Sequence, residues 1–324
     1  MCRLLTLIIS ITLFATVADA EVRREYRELI PDSRVVINFP SEDEYKRERP
    51  VRLIIYALPN GNSIEETEGR SGELLPADWR YNIQHIAAQV RFLRVYDNRY
   101  NYVVAYLEAS QKAWTSHAVK FNDSPALYKL LTDTIAEIVK SSLPAGIFSE
   151  KAFVTLASHS GGGRFVLNYI KSVEKIPLII ERISFIDSNY GYEEELHADK
   201  LFSWLNESKK NHLGVMAYVD TTVILDGKRI VSSRGGTGYR SRKMAEDLQK
   251  RGAGLYERRD TSFLRLFSEN GQIQFWIKEN PQGKIYHTIL VERNGLVHQM
   301  LFNSKLEERD YVFWGSRCYG EYIR

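Results

Sequence analysis

The chain has 324 residues, 44% of them hydrophobic, 26% charged and 12% aromatic, the composition of a globular protein with enough apolar material for a large buried core. That balance excludes intrinsic disorder, a collagen-like repeat and a disulfide-stapled miniprotein. Lys plus Arg number 44 and Asp plus Glu 41, a formal charge of +3 that is too even to predict a nucleic-acid partner.

The first twenty residues form a segment of their own. Arg3 precedes an apolar run from Leu4 to Val17, and Ala18-Asp19-Ala20 follows; a charged start, a short apolar stretch and a small-x-small end describe a secretory signal peptide. Residues 1–20 therefore read as that signal. Residues 21–324 read as one domain, because no internal repeat or Pro/Gly/Ser linker divides them. The apolar run is short for a membrane span and no later stretch reaches that length. A secreted or periplasmic protein with no integral membrane segment after cleavage is the expectation. Cleavage removes Cys2 and leaves Cys318 without a disulfide partner in the chain.

In chain order, Arg34 to Asn38 reads as an edge strand and Arg52 to Leu58 as a buried one. Asp78 to Arg94 follows with helical apolar spacing, then the strand Asn101 to Leu107 and a helix Ser124 to Leu143 with Pro125 in its first turn. The strand Ala152 to Ala157 leads into a helix Gly162 to Val173, and Arg182 to Ile186 is strand again. Glu193 to Lys210 reads as a surface helix or a short cap carrying Phe202 and Trp204. Leu213 to Val219 is a strand, Asp226-Gly227 turns a hairpin within Val223 to Val231, and Ser241 to Gly252 is helical. A second hairpin is expected from Gln272 to Lys278 and Lys284 to Glu292, around Asn280-Pro281-Gln282-Gly283. Near-continuous apolar strands alternating with helices imply an α/β fold: a doubly wound, mostly parallel sheet with helices on both faces and small hairpin and cap insertions.

One stretch carries chemistry. Phe153 to Ala157 is a buried strand, Ser158-His159-Ser160-Gly161-Gly162 follows, and a helix begins at once. A small-x-Ser-x-small turn between strand and helix is a nucleophile elbow, in which the serine occupies strained backbone and the residues two before and two after must be small. Ser160 is the candidate nucleophile. The Gly161 N–H, at the start of the following helix, is placed to bind an oxyanion. His159 is expected to point away from the serine side chain. Ser233 to Arg242 is glycine-rich and basic ahead of a helix, and reads better as a solvated loop than as an anion site. No His-Glu-x-x-His or paired-Cys spacing suggests zinc.

With Ser158 where glycine is usual, this motif and its flanking elements resemble the α/β-hydrolase superfamily over most of residues 50–300. The resemblance implies the chain order nucleophile, acid, histidine. Asp220, directly after the strand Leu213 to Val219, is the preferred acid and Asp187, after the preceding strand, the alternative. His298, in Asn294-Gly-Leu-Val-His298 past a turn signal, is preferred as the base; His287, within an alternating run, is its alternative. The second oxyanion donor is expected in Pro59-Asn60-Gly61-Asn62, where Pro59 has no N–H and Asn60 is the candidate.

Together these readings give a secreted serine hydrolase cleaving a carboxylic ester through an acyl-serine, acting on a small-molecule or acylated substrate with no cofactor, metal or nucleic acid. A peptidase or amidase of the same fold, or a non-catalytic binding module on a hydrolase scaffold, are the alternatives.

Overall fold

The computed structural model describes residues 21–143 and 152–324; residues 1–20, expected as a signal peptide, lie outside the described residues. Ten strands form one sheet: β1 (Val22–Arg27), β2 (Ser33–Phe39), β3 (Val51–Ala57), β4 (Asn101–Ala109), β5 (Ala152–His159), β6 (Ile180–Ile186), β7 (His212–Tyr218), β10 (Leu255–Arg259), β11 (Phe263–Ser268) and β12 (Ile273–Lys278). Their spatial order is β1-β2-β4-β3-β5-β6-β7-β12-β11-β10. The strands from β4 to β12 run parallel, and antiparallel pairs flank them on both sides. A two-residue pair, β8 (Ile224–Leu225) and β9 (Lys228–Arg229), forms a separate hairpin after β7.

Strands buried on both faces need apolar residues at every position, and β3 shows the consequence. Leu53 and Ile55 join one core while Ile54 and Tyr56 join the other. Over the first face lie helices α4 (Ser124–Ser142), α5 (Gly163–Ser172), α6 (Glu194–Glu207) and α7 (Thr237–Lys250), which contribute Leu131, Phe165, Leu201 and Met244. Over the second lie α2 (Ile86–Tyr96) and α9 (Gly295–Leu301), with Val90 and Leu296. The shorter helices are α1 (Ile64–Glu68), α3 (Trp114–Lys120) and α8 (Ile289–Glu292).

Several expectations change. The helix expected from Asp78 is a 3₁₀ turn to Asn82, broken before α2 by His85 at φ 45°. The stretch expected as a possible cap, α6, is a packed helix: Trp204 is buried and donates from its ring to the Ile180 carbonyl at 2.8 Å. Ile180 opens β6, so this contact lies at the end of the sheet opposite to the elbow that follows β5. The second expected hairpin does not form. β12 takes β11, upstream of it, as its antiparallel partner and β7 as its parallel one. After β12, Asn280 accepts from the Lys284 N–H at 2.9 Å and donates to its carbonyl at 2.8 Å, and the chain turns off the sheet there. Residues 284–288 run as loop into α8.

Candidate active site

The elbow forms as its spacing predicts. β5 ends at His159, Ser160 sits at φ 54°, and a 3₁₀ turn from Ser160 to Gly162 runs directly into α5. A left-handed conformation at a non-glycine residue costs on the order of 1–3 kcal/mol and persists only where neighbours enforce it. Here they do. A Cβ on Gly162 would lie 2.1 Å from the Ala57 carbonyl, and one on Gly163 would lie 1.6 Å from that of Ser188. Ser158 fits the position two before the nucleophile because its hydroxyl bonds the Ser188 hydroxyl at 2.8 Å, tying the end of β5 to the turn after β6.

β5 and β6 pair with His159 opposite Ile186, so Ser160 and Asp187 leave adjacent strands side by side. Asp187 is also left-handed, at φ 48°. Its side chain is buried and one carboxylate oxygen accepts from His287 Nδ1, whose ring is 24% exposed. With Nδ1 committed as donor, Nε2 of that tautomer is the lone-pair nitrogen. The loop that turned away at Asn280 delivers this imidazole. His159 packs behind it, with ring centroids 4.7 Å apart, and donates from Nε2 to the His287 carbonyl at 3.2 Å. Burial, and then the neighbouring His287, hold His159 well below the ordinary histidine range, so it stays neutral as a support for that ring.

The structure does not bring the preferred acid and base together. His298 lies in α9 rather than in a loop, with no side-chain exposure. Its ring stacks on Phe313 at 4.8 Å, meets Trp276 edge-on at 4.7 Å, and bonds Tyr311 through Nδ1 at 3.0 Å. Burial, then Arg265 and Arg182, push its pKa down to about 3. It is a core histidine. Asp220 opens the 3₁₀ turn after β7 and is buried; it accepts from the Thr237 N–H at 2.9 Å at the start of α7. Burial, then the charge of Asp187, raise its pKa to about 6. The anion at this glycine-rich helix start is thus the protein's own carboxylate, and the segment expected as a solvated loop turns buried at Gly236.

The Pro59 to Asn62 loop is fixed beside the elbow. Asn60 donates from its side chain to Thr115 at 3.0 Å, and Gly61 donates to the Lys112 carbonyl at 2.7 Å and accepts from Arg80 at 2.6 Å. A Cβ on Gly161 would lie 2.0 Å from the Asn60 side-chain oxygen, so the two candidate oxyanion residues adjoin. Sequence reasoning missed Thr237, whose hydroxyl donates to the second oxygen of Asp187, and the supporting role of His159. Among the described residues, no three His, Cys, Asp or Glu side chains cluster to hold a metal, and no helix is long and apolar enough to cross a membrane.

No family model and no curated protein matches the chain. Among solved structures, a thermostable esterase is similar over 87% of this chain at 12% identity and a TM-score of 0.48; the chain covers 63% of it, less than two thirds of its length. The feruloyl esterase module from Clostridium thermocellum, complexed with sinapinate, aligns over 90% of this chain and 91% of that one, at 9% identity and a TM-score of 0.48. An acylaminoacyl peptidase from Pyrococcus horikoshii aligns over 94% and 44%, at 9% identity and a TM-score of 0.42. The strand order β1-β2-β4-β3-β5-β6-β7-β12, with a serine elbow after β5 and helices on both faces, gives this chain an α/β-hydrolase fold.

Proposed function

We propose that the protein is a secreted serine hydrolase that cleaves a carboxylic ester, with Ser160 as nucleophile, His287 as base and Asp187 as acid. The observation that carries this reading is the adjacency of two strained residues, Ser160 and Asp187, on neighbouring strands, with His287 hydrogen-bonded to the second.

In the proposed reaction, His287 Nε2 takes the Ser160 proton as Oγ attacks the ester carbonyl carbon. The carbonyl π-pair moves onto oxygen, which the N–H groups of Gly161 and Asn60 receive. Collapse of this intermediate breaks the bond to the alcohol oxygen, which takes the proton from His287. Water then repeats the sequence on the acyl-serine, releasing the acid and restoring Ser160. Asp187 holds the Nδ1–H tautomer and offsets the imidazolium charge. An ester is favoured over an amide because its alkoxide leaving group is better expelled.

Turnover of p-nitrophenyl butyrate tests this reading. Ser160→Ala is expected to abolish it without altering the melting temperature by more than a few degrees. Wild-type turnover in Ser160→Ala contradicts the assignment, and hydrolysis of peptide anilides in preference to the ester would favour an amidase. Export is supported by the pattern of residues 1–20; N-terminal sequencing of exported protein should begin at Glu21, and an exported chain that retains Met1 contradicts cleavage.

A further inference from the structure

The glycine-rich segment Ser233 to Arg242 has no part in the proposed chemistry, yet it converges on the acid. Thr237 is the first residue of α7 and donates its hydroxyl to Asp187. Ser241, one turn later on the same helix face, accepts from the Asn189 side-chain amide at 3.1 Å. Arg240 donates to the Tyr192 carbonyl at 3.0 Å. The turn that carries the left-handed Asp187 is therefore held by α7 at three points.

The helix start is itself held. Asp220 accepts the Thr237 N–H, which the helix leaves without an internal partner. The glycines on either side make this possible: a Cβ on Gly236 would lie 1.9 Å from the Asp220 carboxylate, and one on Gly238 would lie 2.5 Å from the Tyr218 carbonyl. The hydrogen bonds thus link the Asp220 carboxylate to the Thr237 backbone N–H, and the Thr237 hydroxyl to Asp187 and on to His287.

We infer that Thr237 is a positioning residue for the reaction, that Asp220 acts through it by capping α7, and that this clamp holds Asp187 in the orientation that orders His287. The inference rests on the proposed roles of Ser160, His287 and Asp187. The position of Asp220 after β7 thus serves the acid on the neighbouring strand. Asp187 offers two oxygens; without the Thr237 hydroxyl on one, the carboxylate is free to rotate away from the Nδ1–H.

The test compares Thr237→Val, which keeps shape and the backbone N–H but loses the hydroxyl, with Thr237→Ser, which keeps it, in the whole secreted chain. With p-nitrophenyl butyrate, Thr237→Val is expected to lower kcat on the order of 10²-fold, as a displaced catalytic group does, with KM little changed. Thr237→Ser is expected to restore most of kcat. If Thr237→Val does not fold cooperatively, Thr237→Ala is the second hydroxyl-free variant. The imidazole Nδ1 proton of His287, assigned by its loss in His287→Gln, supplies a readout independent of turnover. Its downfield NMR resonance should shift or vanish in Thr237→Val and return in Thr237→Ser. Wild-type kcat and an unmoved resonance in both hydroxyl-free variants would overturn the clamp. Turnover retained in Ser160→Ala would instead remove the hydrolase reading, and the resonance alone would then decide whether Thr237 orders His287.

Discussion

Asp187 and Asp220 follow neighbouring strands and both are buried, but their partners separate them. Asp187 faces an imidazole and a hydroxyl, whereas Asp220 faces a backbone N–H at a helix start. Replacing Asp187 by Asn removes the charge that holds the His287 tautomer and is expected to lower ester turnover on the order of 10⁴-fold. Asp220→Asn keeps an oxygen for the Thr237 N–H and should cost far less. Steady-state kinetics on the two variants, each shown to be folded by thermal unfolding, rank them; the reverse ranking would return the acid to the position after β7. The elbow around Ser160 was legible because its constraints are local: residues 158 and 162 must be small on either side of a strained serine. The proposed acid and base were not, since a strand end followed by Asp occurs twice and nothing local distinguishes the two. His298 lay past a turn signal and looked loop-borne, but the aromatic residues that bury it, Trp276 and Phe313, come from other elements.

The parallel strands and their crossover helices were readable as elements, because burial on both faces writes itself as unbroken apolar runs. The edges were not. β1 reads Val-Arg-Arg-Glu-Tyr-Arg and β10 reads Leu-Tyr-Glu-Arg-Arg, compositions set by solvent on an edge strand rather than by a core. The run from Lys284 to Glu292 alternates like a strand yet forms a loop and a short helix, because β12 already has neighbours on both sides. That displacement frees His287 to reach Asp187. The junction of β5 and α5 has no such freedom. Gly162→Ala would drive a methyl group into the Ala57 carbonyl of β3, and a cost of about 3 kcal/mol or more is expected from overpacking of this kind. Denaturant unfolding measures it directly; a Gly162→Ala protein as stable as wild type would mean that the elbow is not packed as described.

The whole molecule carries its histidines mostly buried and uncharged. Burial first, with nearby arginines adding to it, lowers His85 to about 4, His212 to about 2 and His298 to about 3. Each of these pKa values lies below the unfolded histidine value of about 6.5. The unfolded chain then binds more protons than the folded one below that pH, and stability falls as pH falls. His159, also held well below that value by burial, adds to the same fall, which is concentrated between about pH 6 and 4. Asp220, raised to about 6, works the other way: it adds stability as pH falls from about 6 toward the unfolded carboxylate value, so it offsets part of the fall. The melting temperature should therefore be clearly lower at pH 5 than at pH 7. An equal or higher value at pH 5 would contradict neutral burial of these imidazoles.

The assignment of one histidine to the reaction and another to the core is the claim on which the rest depends, and labelling by a fluorophosphonate probe separates them, since phosphonylation needs the serine proton removed. Intact-mass measurement of the labelling rate should show a single adduct, mapped to Ser160, forming at comparable rates in wild type and in folded His298→Gln. In His287→Gln the rate should collapse. Wild-type labelling of His287→Gln, together with loss of labelling in a folded His298→Gln protein, would contradict the account.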